Sequence, residues 1–188
     1  MNPALGGLSR DLRNGFEHLD AYLNLFAPLS RRLTATKLDI SGGEIETYLL
    51  EVFRERLDRH RVALEVSDPA RATKLSGQPS AILAAFVNVV DNAIHWTSGI
   101  DGERSIRLDV ADDGITVANT GPGIEPRIAE RIFEQGETTR LGGRGLGLYV
   151  SREALRRSNL DLRLTVVGRR ASPVFVIGPR RTVDDGGT

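Results

Sequence analysis

The chain has 188 residues, of which 40% are hydrophobic and 27% charged, enough to bury a core in one or two domains. The 25 basic residues balance the 25 acidic ones, so we expect neither a nucleic-acid-coating protein nor one that binds an anionic membrane. The absence of cysteine excludes a disulfide framework, a thiolate metal site and a cysteine nucleophile. No apolar run reaches the roughly 18 residues that a membrane span needs, and we expect a cytoplasmic protein.

The first predicted element is an amphipathic helix within residues 1–39. Pro28 is expected to kink or split it near Ala27. Its apolar side chains recur at spacings of three and four and form one stripe, which consists of Phe16, Leu19, Tyr22, Leu23, Phe26, Leu29 and Leu33. Such a stripe must pack on the main body or on another chain, so this segment is a candidate for forming a homodimer.

The remaining elements indicate an α+β protein. Residues 40–43 (ISGG) are interpreted as a break. Mostly antiparallel strands with interspersed helices predict a two-layer α/β sandwich over residues 40–181, followed by a disordered tail over 182–188. In chain order, the elements are a helix over 44–60, a strand over 62–66, a helix beginning at Pro79, strands over 105–110 and 115–118 joined by an Asp-Gly turn, helices over 127–133 and 146–158, and a closing hairpin of 160–167 and 173–177.

Two asparagines interrupt the strongly apolar helix that follows Pro79. Asn88 and Asn92 are four residues apart and therefore share one face, with Asp91 beside them. Buried amides need partners. Either these amides bind neighbouring loop carbonyls, or their oxygens coordinate a hard cation such as Mg²⁺.

Two glycine-rich segments follow. NTGPGI, residues 119–124, comes directly after a strand, and its glycines allow a close approach of the backbone. GGRGLGL, residues 142–148, leads into a helix, whose first N–H groups and dipole favour an anion. Neither segment is a P-loop or a dinucleotide-binding fingerprint.

Taken together and in this order, NVVDNAIHWT, NTGPGI and GGRGLGL resemble the N, G1 and G2 boxes of the Bergerat-type (GHKL) ATPases. That superfamily includes sensor histidine kinases, type II topoisomerase subunits, mismatch-repair ATPases and heat-shock chaperones. RIFEQG, residues 131–136, resembles the F box of the kinases. The resemblance covers about residues 40–178 and implies a sandwich of the Bergerat ATP-binding type that binds ATP with Mg²⁺.

The histidine kinases and the bacterial histidine-kinase-like ATP-binding proteins are the most similar branch. Asn88 stands where the water-activating branches carry a glutamate base. The resemblance implies that Asn92 is the magnesium ligand and that Asn88 is its catalytic partner. It also implies a cation for the γ-phosphate, with Arg140 as first choice and Arg144 as second.

Asn119 departs from the family pattern, which usually has an aspartate that accepts a hydrogen bond from the adenine amino group. A neutral asparagine can still accept this bond, but more weakly, and a turn-capping role is the alternative. His95 stands where the kinases often have lysine, and it is a weaker, pH-dependent cation. The other nucleotide-contacting positions implied by the resemblance are Asp91, Trp96, Gly121, Gly123, Ile124, Thr138, Thr139, Gly143, Gly145, Leu146, Gly147 and Leu148.

Three functions remain open. The chain is the ATP-binding catalytic domain of a histidine-kinase-like phosphotransferase, an ATPase-driven conformational module without phosphotransfer, or a nucleotide-binding scaffold without activity. His18 is the N-terminal candidate for a phosphoacceptor, but its neighbours do not match the kinase H box. A separate phosphoacceptor domain or response regulator is therefore an expected partner, and the chain is expected to be part of a longer protein. The loop over 136–143 is expected to be a lid that is mobile without nucleotide.

Overall fold

The structure is a computed structural model that describes residues 37–111, 114–140, 143–168 and 171–181. The chain divides into two units, Met1–Ala35 and Thr36–Thr188, and all described residues belong to the second. The N-terminal helix, His18 and the tail over 182–188 therefore lie outside the described residues. None of the helices in the described ranges is long and apolar enough to span a membrane.

Helices pack on a mixed sheet, which confirms the predicted α/β sandwich. The elements of the described residues are β1 (Leu38–Ser41), α1 (Gly42–His60), β2 (Ala63–Val66), α2 (Asp68–Ala72), β3 (Lys74–Gly77), α3 (Pro79–Thr97), β4 (Ser105–Ala111), β5 (Gly114–Asn119), α4 (Pro126–Arg131), α5 (Gly147–Arg156), β6 (Leu160–Val166) and β7 (Val174–Pro179). Five of these strands form a sheet in the order β2-β4-β5-β7-β6, in which β2 and β4 are parallel and the other pairs are antiparallel. Strands β1 and β3 form a separate antiparallel pair.

Helix α3 is the central helix of the domain. Pro79 occupies its first turn, where its missing N–H costs nothing. The helix packs against α1, α5 and strands of the large sheet, and side chains such as Phe86 and Ile94 are fully buried. Each such side chain contributes about 1.5–3 kcal/mol to folding by its burial. The polar residues of α3 are therefore exceptions within a core helix.

Helix α1 begins with a capping box. The Ser41 hydroxyl accepts from the Glu44 N–H at 3.2 Å, and the Glu44 carboxylate accepts from the Ser41 N–H at 2.9 Å. The predicted break over 40–43 is therefore wrong, because β1 passes directly into α1. Gly42 serves a close approach, since a Cβ there would lie 1.9 Å from the Ala70 carbonyl oxygen.

The other predicted elements are present with shifted ends. Helix α5 runs over Gly147–Arg156 rather than 146–158, and α4 ends at Arg131 rather than 133. Strands β4 and β5 pair as the predicted hairpin, although two residues of its turn, 112 and 113, lie outside the described ranges. Strands β6 and β7 form the predicted closing hairpin. Elements β1, β3 and α2 were not predicted, because their short sequences (LDIS, KLSG and DPARA) are half polar or contain glycine or proline, unlike the alternating VALEV segment that contains β2.

Candidate functional site

Four polar side chains lie on one face of α3. Asn88, Asp91, Asn92 and His95 follow one another at spacings of three, one and three residues, and all four are half-buried. Segments from three other parts of the fold contact this face or the end of α3 next to it. The site is described from Asn88 towards the C-terminal end of the helix.

Asn88 joins α3 to the beginning of α5. Its side-chain N–H₂ group donates to the Ser151 hydroxyl at 2.7 Å and to the Gly147 carbonyl at 3.3 Å. Ser151 is buried one turn after Gly147. Of the two interpretations of the asparagine pair, binding of a neighbouring carbonyl is the one that Asn88 shows.

Asn92 differs from Asn88 in its surroundings. Within the described ranges its carboxamide makes no hydrogen bond, although the residue is half-buried. Its oxygen therefore remains available as a ligand for a hard cation, and oxygen is the donor that Mg²⁺ prefers.

Asp91 binds two arginines from different elements. Arg56 of α1 contacts one carboxylate oxygen, and Arg140 Nη1 lies 2.8 Å from the other. Burial would raise the pKa of Asp91, but the hydrogen bonds and charges of Arg56 and Arg140 outweigh it and lower the pKa below its ordinary value. Asp91 is therefore an anion at neutral pH, and it pairs with both Arg56 and Arg140.

His95 is a poor cation in this environment. Burial lowers the pKa of its imidazole, and the positive charges of Arg140 and Arg56 lower it further against the opposing effect of Asp91. The ring is therefore mainly neutral at neutral pH. It packs edge-on against Trp96, with ring centroids 4.9 Å apart, and Trp96 is 38% exposed.

The end of β5 approaches the C-terminal turn of α3. Asn119 is buried and donates to the Thr97 hydroxyl at 3.2 Å. A Cβ at Gly121 would lie 2.5 Å from Asn119 Nδ2 and 3.2 Å from Trp96 Cβ, so only glycine fits there. Farther along, the Ile124 carbonyl accepts from the Gly168 N–H at 2.9 Å, and Gly123 is half-buried.

The glycine loop before α5 folds back on the residues that follow α4. Gly145 has a φ of 63°, and a Cβ on it would lie 2.3 Å from the Gly136 carbonyl carbon. The Gly136 N–H donates to the Gly145 carbonyl at 3.0 Å. Between them, the Gly143 N–H donates to the Arg140 carbonyl at 2.9 Å, and the Arg140 N–H donates to the Thr138 hydroxyl at 3.1 Å. These bonds hold the described parts of the loop.

Helix α5 begins without a side-chain cap. Leu146 is the N-cap residue, and no side chain among the described residues binds the first N–H groups of the helix. Such a terminus can bind an anion through its N–H groups and dipole. The side chains of Thr139 and Arg144 are exposed and make no hydrogen bond or ion pair with any described residue, and Leu148 is half-buried.

A second ion-pair group holds α5 on the sheet. Asp161 of β6 is buried and accepts from Arg152 at 2.9 Å and from Arg156 at 3.4 Å. Burial would raise the pKa of Asp161, but its hydrogen bond with Arg152 and the charges of both arginines lower it. The Arg152 guanidinium also lies 4.6 Å from the ring centre of Phe133, in the RIFEQG segment.

The sequence did not predict three residues that support the site: Arg56, Thr97 and Ser151. Arg56 follows Phe53 by three residues and extends the buried stripe of α1, which places it on the side that faces α3. Thr97 and Ser151 carry no signal of their own, because their roles arise from contacts across the fold.

The comparison with known families agrees with this arrangement of two glycine-rich segments next to α3. Residues 77–188 match the family described as histidine kinase-, DNA gyrase B- and HSP90-like ATPases. The chain belongs to this ATPase family. Within the family, its curated relatives include the phosphate regulon sensor protein PhoR of Pseudomonas aeruginosa, 32% identical over 121 residues. Another is the histidine protein kinase SaeS of Staphylococcus aureus, 28% identical over 123 residues.

These matches cover only part of the relatives. The PhoR match spans 60% of this chain and 26% of PhoR, and the SaeS match spans 61% of this chain and 35% of SaeS. Solved histidine kinase domains have the same fold. The mycobacterial sensor histidine kinase MprB is 25% identical with a TM-score of 0.58, covering 78% of this chain and 98% of that one. The catalytic domain of ThkA is 22% identical with a TM-score of 0.61, covering 78% and 97%. The described domain thus has the fold of these histidine kinase structures.

Proposed function

We propose that this chain binds Mg²⁺-ATP at the polar face of α3, as the catalytic domain of a histidine-kinase-like protein. The observation that carries the proposal is the convergence of all three boxes on that one helix. Asn88 contacts Gly147, Asp91 binds Arg140, and Gly121 packs against Trp96. Segments far apart in the sequence therefore surround one set of polar groups.

The end of the site near β5 is suited to the adenine base. Asn119 donates to Thr97 through its nitrogen, and its side-chain oxygen has no hydrogen-bond partner in the described part of the chain. This oxygen can accept from an amino group such as that of adenine. Trp96, partly exposed nearby, offers an aromatic surface beside the base.

The phosphates would lie at the other end, near the beginning of α5. The uncapped N–H groups of that helix and the Arg140 guanidinium supply donors for phosphate oxygens. Asn92 would hold Mg²⁺, because its carboxamide oxygen has no other partner in the described ranges and Mg²⁺ takes few protein ligands beside phosphate and water. When bound, the ion would neutralise charge on the phosphate oxygens.

The residue at position 88 favours phosphoryl transfer over hydrolysis. An asparagine cannot accept a proton as a general base, and the Asn88 amide is already bonded to Ser151 and Gly147. A nucleophile that needs no water-activating base, such as a histidine of a phosphoacceptor domain, fits this site better. We propose such a domain or a response regulator as a partner, and a homodimer formed through residues 1–39.

Calorimetry on three proteins tests the binding site. The wild-type chain should bind ATP more tightly with Mg²⁺ than with a chelator. Asn92→Ala should lose this difference while its urea unfolding stays unchanged, and Asn92→Asp, which keeps an oxygen ligand, should retain it. An undiminished Mg²⁺-dependent affinity in Asn92→Ala would contradict the ligand role.

Labelling tests the reaction. The chain, alone and as part of its full-length protein, is incubated with ATP labelled on the γ-phosphate. Acid-labile label on protein supports phosphoryl transfer to histidine. Release of phosphate without protein label supports the conformational ATPase instead, and neither product supports the inactive scaffold.

A further inference from the structure

The Arg56–Asp91–Arg140 group joins three separate parts of the fold. Arg56 belongs to α1, Asp91 to α3, and Arg140 to the loop between α4 and α5. The Asp91 side chain is 22% exposed, and each of its oxygens binds a different arginine. One carboxylate, with a single negative charge, is thus paired with two positively charged guanidinium groups.

The two arginines are not equally anchored. Arg56 lies on a long helix that packs on α3, and its guanidinium is 5.5 Å from the ring centre of Phe53 on the same helix. Arg140 lies in a loop, although the two side chains are about equally exposed, 34% for Arg56 and 37% for Arg140. If one cation leaves Asp91, it is therefore Arg140.

We propose that Arg56 is a positioning residue that permits Arg140 to exchange Asp91 for the terminal phosphate of a bound nucleoside triphosphate. The inference rests on the nucleotide site proposed above and deepens it. Arg56 weakens the hold of Asp91 on Arg140 in two ways. It repels the second guanidinium, and it remains as partner of Asp91 after Arg140 has left.

The energetic reason is the cost of an unpaired, partly buried carboxylate. Among the described residues, Arg56 and Arg140 are the cations that pair with Asp91. Without Arg56, the release of Arg140 would therefore leave the Asp91 carboxylate unpaired, which is strongly unfavourable. Arg140 would then stay on Asp91, and the terminal phosphate would lose its cation. A nucleoside diphosphate lacks the γ-phosphate, so its binding should not depend on whether Arg140 leaves Asp91.

The test compares ATP with ADP in the presence of Mg²⁺. In Arg56→Met, which keeps the length of the side chain without its charge, ATP affinity should fall by roughly fivefold or more relative to ADP affinity, in the range of measured couplings between contacting charges. Loss of positive charge alone would weaken both nucleotides, and the more highly charged ATP by the larger factor. The ratio of the two dissociation constants is therefore compared with the same ratio in a protein that lacks Arg140. Urea unfolding of the variant checks that the domain is intact, and Arg56→Lys, which keeps the charge, should preserve most of the ratio.

A double variant supplies the decisive control. In Arg140→Met the ATP preference should fall, and in Arg56→Met/Arg140→Met it should fall no further, because Arg56 acts through Arg140. An unchanged ratio in the single Arg56 variant, or a further fall in the double variant, would overturn the role of Arg56 while the nucleotide site stands. If the wild-type chain binds neither nucleotide, the failure lies with the proposed function itself.

Discussion

Gly145 allows a quantitative test of how the glycine loop is built. Replacement by alanine imposes two separate costs there. A side chain at a φ of 63° costs about 1–2 kcal/mol. The added Cβ would also lie 2.3 Å from the Gly136 carbonyl carbon and 2.6 Å from its oxygen, and such overpacking costs about 1–3 kcal/mol. The two costs together give a loss of about 2–5 kcal/mol in the free energy of unfolding.

Two other glycines separate these costs. Gly136 has a φ of 86°, but a Cβ there meets nothing within 4 Å, so Gly136→Ala should lose only the conformational part, about 1–2 kcal/mol. Gly147 has no positive φ, and the nearest atom to an added Cβ is Asn88 Oδ1 at 3.4 Å. Gly147→Ala should therefore be neutral or stabilising by up to about 1 kcal/mol, because alanine favours the helix.

Urea unfolding followed by the fluorescence of Trp96, the one tryptophan of the chain, measures the series. A loop can also relieve strain by opening locally, which limits the global effect. Hydrogen exchange at the Gly136 amide is the local measurement, because this N–H donates to the Gly145 carbonyl. Equal stability of Gly145→Ala and Gly136→Ala, with the Gly136 amide still protected, would refute the close approach.

Further predictions concern pH, loop motion and assembly. The pKa values of Asp91 and Asp161 are lowered despite burial, so their ionised forms favour the folded state. In urea titrations, stability should fall as the pH drops below the ordinary aspartate value of 3.8, and less so in Asp161→Asn. The lowered pKa of His95 predicts a separate loss of stability that begins as the pH falls below the ordinary histidine value of 6.5 and is absent in His95→Gln. Amide hydrogen exchange over residues 136–143 should slow when Mg²⁺-ATP is added, and equal exchange with and without nucleotide would contradict a lid. Light scattering should show self-association of this chain but not of one starting at Ile40. If both proteins are monomeric, the dimer is excluded.

The sequence predicted α3 well because several signals agree there. Pro79 marks its beginning, and an almost continuous apolar sequence requires a buried helix. The pair β1–β3 was missed because LDIS and KLSG contain few apolar side chains, unlike the alternating VALEV segment that contains β2, and because the two strands are far apart in the sequence. Prediction from the sequence pattern alone is therefore most reliable for long elements.

The same limit applies to the site. Asn88 and Asn92 are identical residues one helical turn apart, so residue type and spacing do not separate their roles, and only the family resemblance assigned them different ones. The packing of α5 on α3 separates them, since Gly147 and Ser151 occupy the Asn88 amide and leave Asn92 without a partner in the described ranges. The pairing of Arg140 with Asp91 was likewise not predicted, because it depends on the path of a loop.

The contacts divide the site into a fixed part and an exchangeable part. Asn88, Gly121 and Gly145 are held by close packing or hydrogen bonds within the domain. Asn92 has no hydrogen-bond partner in the described ranges, and Arg140 has one that it can exchange. A ligand at this site would thus bind a frame that is already ordered, and it would lose little of its binding free energy to ordering the protein. It follows that substitutions in the fixed part should change stability and nucleotide affinity together, whereas substitutions at Asn92 or Arg140 should change affinity with little effect on stability.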